Sequence, residues 1–153
     1  MRPTLPRAAA GALLVLTVAL TLAGCARAPQ GELSPVEFRR TVSGATWELV
    51  ELDGRTPPEG AGGRRATLVF EADSARAGGF SGCNSYRGSY TLDSASLRFG
   101  PIAMTRMACD RGMDLEQQLA RALERATSYE LAGDELRLRD AGGVLARFRR
   151  AGA

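Results

Sequence analysis

Residues 128–150, SYELAGDELRLRDAGGVLARFRR, constrain the fold more than any other stretch of the chain. Tyr129 and Leu131, Leu136 and Leu138, and Ala146 and Phe148 alternate with charged or polar neighbours. A period of two is the signature of a strand with one buried face. Gly133-Asp134 and Ala141-Gly142-Gly143 interrupt the alternation at turn-sized intervals, so three strands are expected, folded back on one another through tight turns. Connections this short require antiparallel neighbours.

The same grammar recurs upstream. In Thr46 to Leu52, TWELVEL, Trp47, Leu49 and Glu51 lie on one side and Glu48, Val50 and Leu52 on the other, before Asp53-Gly54 turns the chain. A polar loop rich in Gly and Pro follows, then Thr67-Leu68-Val69-Phe70 as a second strand. Phe80, Tyr86 and Tyr90 sit in a context broken by glycine, which predicts two strands joined at a bend near Gly82-Cys83-Asn84. Ser96-Leu97-Arg98-Phe99 alternates as well.

One segment changes period. In MDLEQQLARALERAT, Leu115, Leu119, Ala122, Leu123 and Ala126 share a helical face, with Glu116, Gln117, Arg121, Glu124 and Arg125 elsewhere. Asp110 or Asp114 is the expected cap, the latter with Gln117 at capping-box spacing. The fold class that follows is α+β, a mainly antiparallel sheet with one amphipathic helix over one face or end.

What precedes this domain is of another kind. Arg2 and Arg7 lead into an uncharged apolar run from Ala8 to Ala23, slightly short for a spanning helix. Leu22-Ala23-Gly24-Cys25 resembles a bacterial lipobox. That resemblance implies a signal peptide over 1–24 and a diacylglycerol thioether on Cys25, which becomes an acylated N-terminus. Several acyl chains anchor a protein without spanning the bilayer. Ala26 replaces the aspartate of the inner-membrane retention rule, so an outer-membrane site facing the periplasm is expected. Residues 25–43 carry two prolines and no sustained periodicity, and read as lipidated cysteine plus tether; the domain is expected over 44–150.

Charge narrows the partners. With Arg2 and Arg7 removed, the chain has 18 basic and 17 acidic residues, every basic one an arginine. Neither a basic stripe nor an aromatic-interleaved patch points to nucleic acid. The expected contacts are the membrane through Cys25, and an envelope protein or small hydrophobic ligand.

The assembled pattern is similar to the META domain family. The resemblance rests on Trp47-Glu48-Leu49 with Asp53-Gly54, Leu68-Val69-Phe70, Gly82-Cys83-Asn84 leading to Tyr86 and Gly88-Ser89-Tyr90, Met104-Thr105-Arg106-Met107-Ala108-Cys109, the short helix, and Leu136-Arg137-Leu138. It implies an envelope-associated, often lipidated domain without established catalysis, in a family linked to stress tolerance. The loop from Gly54 to Arg65 shows no family feature.

With Cys25 assigned to lipid, Cys83 and Cys109 remain, one in each distinctive block, in a compartment where disulfides persist. A structural bridge between them is the expectation, and a redox pair is the alternative. No catalytic residue is expected: a cysteine nucleophile usually needs a histidine, of which the chain has none. No metal site is expected either, since two cysteines fall short of the usual ligand count. No cofactor is implied. Asn84, Tyr86 and Arg106 form the candidate binding surface. Two further functions stay open: inhibition of a cell-wall hydrolase such as lysozyme by the loop SGCNSYRG, and thiol redox chemistry, which requires an accessible Cys83 or Cys109.

Overall fold

The structure is a computed structural model, and it describes residues 33–153. Cys25 and the expected signal peptide lie outside the described residues. The elements run α1 (Pro35–Val42), β1 (Thr46–Leu52), β2 (Thr67–Phe70), β3 (Arg76–Phe80), β4 (Ser85–Asp93), β5 (Ser96–Met104), α2 (Met113–Arg125), β6 (Ser128–Ala132), β7 (Glu135–Asp140) and β8 (Gly143–Arg150). Each strand pairs antiparallel with the next, and β8 returns to β1 to close a barrel. The mainly antiparallel sheet and the α+β class agree with the sequence pattern, but the helices number two among the described residues, and the sheet has no free ends.

Closure follows from a register that alternation alone does not reveal. Along β1, Leu49 opposes Phe148 and Glu51 opposes Arg147, so Val50 forms a bulge. The bulge reverses the pleat, and Trp47, Leu49 and Leu52 all become buried. Leu52 was expected on the opposite side from Trp47. The kink bends β1 enough to bring it against β8, and an eight-stranded barrel of this size fills with its own side chains. Trp47, Leu49, Leu68, Phe70, Leu97, Leu136, Leu138 and Phe148 are the largest of these from the strands.

The weakest seam lies between β5 and β6, which share a single register pair, Ser96 with Ser128. Helix α2 occupies that gap, packing on β5 and β7. Its buried residues are Leu115, Leu119, Ala122 and Leu123, with Ala126 just beyond; these are the residues that the helical period puts on one face.

Of the stretch expected as a tether over 25–43, residues 25–32 lie outside the described residues, and residues 35–42 form helix α1. Ser34 caps it, accepting a bond from Glu37 N–H while the Glu37 carboxylate accepts from Ser34 N–H, a capping box with Pro35 in the first turn. Eight residues are too few for an isolated helix to persist in water. Tertiary burial supplies the rest: Phe38 and Val42, one turn apart, are fully buried against the barrel end where β1 starts. Phe38 meets the rings of Phe70 and Tyr129 at 5.4 and 4.3 Å, and Trp47 Nε1–H donates to Val42 O at 3.1 Å. Burying a side chain such as Phe38 contributes about 1.5–3 kcal/mol. Among the described residues, no helix is long and apolar enough to cross a membrane.

Candidate functional site

At the other end of the barrel, the two distinctive sequence blocks meet. After β3 the chain reverses through residues 81–84, where Ser81 N–H donates to Asn84 O at 2.8 Å and the one Oγ–H proton is shared between Asn84 O and the Glu116 carboxylate, each 2.7 Å from Oγ. Gly82 has φ +118°, and a Cβ there would lie 2.9 Å from Gly112 O and 3.0 Å from Leu115. In turn, Gly112 and Gly60 each approach Gly82 O so closely that a Cβ on either would sit 2.1 Å away. Three backbones thus touch where only glycine fits. This contact also explains the start of α2: its N-cap is Gly112, with no side-chain cap, where Asp110 or Asp114 was expected.

Asn84 ties the remaining pieces together. Its Oδ1 accepts Thr105 Oγ1–H at 2.8 Å and Met107 N–H at 2.7 Å. Its Nδ2 donates to Met107 O and to Glu116 Oε1, both at 3.2 Å. One amide therefore binds both backbone groups of Met107 and reaches into α2. Glu116 Oε2 accepts Ser81 Oγ–H at 2.7 Å and Asn84 N–H at 2.8 Å. The Cys83–Cys109 disulfide, with Cα atoms 5.8 Å apart, closes the same two loops covalently. Cys83 Sγ carries no proton in that bridge, so its 3.4 Å approach to Met107 O is a packing contact.

The structure separates the residues expected to form a surface. Asn84 is 2% exposed and Tyr86 4%. Tyr86 points into the barrel, where its hydroxyl donates to Thr67 O at 2.8 Å, and burial holds its phenol well above the ordinary range. Asn84 and Tyr86 are therefore internal and satisfied; they are not the exposed face that the sequence suggested. The physical reason is that a buried polar group needs partners, and residues 81–86 find theirs inward. Arg106 is exposed and has no partner among the described residues. Residues 81–84 are buried as a block, so the SGCN part of the loop cannot serve as a finger inserted into an enzyme cleft.

What is exposed lies one step further along. Met107 is 55% exposed although both its backbone groups are fixed, and Arg106, Ala108, Asp110 and Arg111 are exposed around it. An open depression lies beside this loop, lined by Ala61, Gly62, Ala108, Cys109, Asp110 and Arg111. Glu116 and Met107 escaped sequence reasoning. Glu116 falls on the polar face of its helix by period, and its place in the first turn, where an acid meets the unbonded N–H groups of the helix start, is the sequence signal that hints at another use. Among the described residues, no three His, Cys, Asp or Glu side chains cluster as metal ligands would.

The profile of the META domain family matches residues 40–152. No curated protein matches the chain. Among solved structures, the chain is similar to a Burkholderia xenovorans protein determined by NMR, at 28% identity and TM-score 0.60, over 77% of this chain and 89% of that one. A second NMR structure, 20% identical over 74% of this chain and 94% of that one, has a TM-score of 0.59. A crystal structure of a DUF4847-family protein from Bacteroides vulgatus is 14% identical, with TM-score 0.51 over 76% and 97% of the two chains. The last two likenesses concern the fold.

Proposed function

Because the chain belongs to the META domain family, we propose that it is a noncatalytic, lipid-anchored protein of the bacterial cell envelope, whose barrel presents one clamped loop to a protein partner in a binding or envelope-stress role. The observation that carries this reading is the Asn84 network. The cluster of Ser81, Asn84, Thr105 and Glu116 pairs its donors and acceptors with one another and with the backbone of Met107, so its chemistry goes into fixing the backbone of residues 105–109. A loop held by a disulfide and by one amide on both backbone groups of Met107 loses little entropy when a partner docks. The exposed Met107 side chain is adaptable and polarisable, a type enriched where proteins meet.

The lipobox at Leu22 to Cys25 supports the anchor, and Ala26 supports an outer-membrane site facing the periplasm. A protein partner is favoured over a small hydrophobic ligand because the barrel interior is occupied by Trp47, Phe70, Phe148 and their neighbours. Thiol exchange could begin only at Cys109, which is half-buried beside the open depression, because Cys83 is fully buried.

Two measurements test the reading. The intact mass of protein purified from its own membranes should correspond to a chain beginning at Cys25 with added lipid, and an unmodified chain beginning elsewhere would remove the anchor. A photo-crosslinking residue in place of Met107 should capture a discrete envelope protein in cells. Capture that survives replacement of both Cys83 and Cys109 by alanine would show that the clamp plays no part.

A further inference from the structure

Helix α1 has two faces, and the barrel uses only one. Phe38 and Val42 point inward, whereas Val36, at 64%, is the most exposed large hydrophobic residue among those described. Arg39 and Arg40 flank it, both exposed, and with Ser43, Gly44 and Ala72 they line an open depression. The acid on this helix, Glu37, is turned to the N-terminus, where Ser34 N–H and Oγ–H bond its carboxylate. The outward face thus offers one aliphatic side chain between two guanidinium groups, which bind phosphate oxygens in a forked geometry that lysine cannot match.

The covalent chain limits what can lie opposite this face. Nine residue steps separate Cys25 from Ser34, and at full extension they cover about 30 Å. An acylated Cys25 therefore keeps α1 within about 30 Å of the lipid surface, whichever way the barrel turns. We propose that α1 rests on the anionic bilayer that holds the chain's own lipid, with Arg39 and Arg40 on headgroup phosphates and Val36 at the headgroup boundary. The proposal rests on the anchored reading of Cys25.

Weak contacts are enough for this task. A basic residue near an anionic leaflet strengthens binding about fivefold, and the anchor makes the contact intramolecular, so its effective concentration is already high. The consequence is orientation. Strand β4 leaves the disulfide end at Ser85 and reaches the α1 end at Asp93, so seating α1 on the membrane turns Arg106 and Met107 away from it.

The test uses the full lipidated chain in vesicles of phosphatidylcholine alone or with phosphatidylglycerol, a fraction of the lipids carrying brominated chains. Trp47 is the only native tryptophan and is buried, so Val36→Trp and, separately, Met107→Trp report on the two ends. Bromine quenching of Val36→Trp should exceed that of Met107→Trp several-fold in anionic vesicles. It should fall to the neutral-vesicle level when Arg39→Glu and Arg40→Glu are added, with far-UV circular dichroism confirming the fold. Equal quenching at both ends, or quenching that ignores lipid charge, overturns the proposal. Intact mass on the same samples separates the two ideas: a lipid-free chain refutes the anchor, whereas a lipidated chain without end preference refutes only the α1 contact.

Discussion

Replacing Asn84 by aspartate tests the loop clamp with almost no change of shape. In the native protein Asn84 Nδ2 lies 3.2 Å from Glu116 Oε1 as a donor to an acceptor. Aspartate there sets two carboxyl groups at that distance. With both ionised, repulsion at an effective dielectric near 20 amounts to about 5 kcal/mol. Holding one proton at pH 7 on an acid that titrates near pH 4 in the unfolded chain costs about 4 kcal/mol. Protonation is the cheaper response, so the pair shares one proton and the pH-dependent part of the loss at pH 7 is capped near about 4 kcal/mol. The sign follows: between pH 4 and 7 the folded variant holds a proton that the unfolded variant has released. Its deficit relative to wild type therefore grows by about 1.4 kcal/mol per unit as pH rises, and near pH 4 what remains is the lost donor to Met107 O, about 1–3 kcal/mol. Urea unfolding followed by Trp47 fluorescence at several pH values measures this, with Asn84→Ala as a control whose deficit should not depend on pH. Parallel pH profiles for Asn84→Asp and wild type would falsify the Asn84–Glu116 contact as the link between the loop and α2.

The remaining predictions concern the bridge, the two helices and one surface pair. Replacing both Cys83 and Cys109 by alanine removes a cross-link between positions 26 apart, a loss of about 3.5 kcal/mol in the chain-entropy model; reduction of the wild-type protein should lower the urea midpoint similarly, and an unchanged midpoint would refute the staple. Phe38→Ala should cost about 3–5 kcal/mol and speed amide exchange across residues 35–42; exchange that stays slow there would show that capping, not burial, holds α1. Gly112→Ala combines φ +92° with a Cβ 2.1 Å from Gly82 O, so it should destabilise by more than about 2 kcal/mol, and Gly133→Ala, where nothing lies within 4 Å, should cost less in the same assay. The hydrogen bond from Arg125, then that from Gly142 N–H, hold the Asp140 carboxyl below the ordinary carboxylate range. That contribution is present above the ordinary pKa and is lost as pH falls, so Arg125→Ala should move the Asp140 titration upward by NMR, and an unmoved titration would refute the pairing.

The sequence by itself determined the elements. Period-two alternation at Leu136, Leu138 and Phe148 is a local property, because successive side chains of a strand face opposite ways whatever they pack against. The face of α2 was legible for the same reason, and so was the meeting of the GCN and MTRMAC blocks, which a cysteine in each already suggested. Tertiary structure alone decided three other things. The bulge at Val50 is where β1 bends to meet β8, a long-range pairing with no local signal. Helix α1 spans eight residues and exists because the barrel end buries Phe38 and Val42, so its sequence resembles a tether. Asn84 looked like a surface residue because a polar side chain in a turn ordinarily faces water, and Tyr86 because a strand side chain can face either side of the sheet. Only the approach of Thr105, Met107 and Glu116 to Asn84, and of Thr67 O to Tyr86, made burial the lower-energy choice, and those partners lie 19 to 32 residues away in the chain.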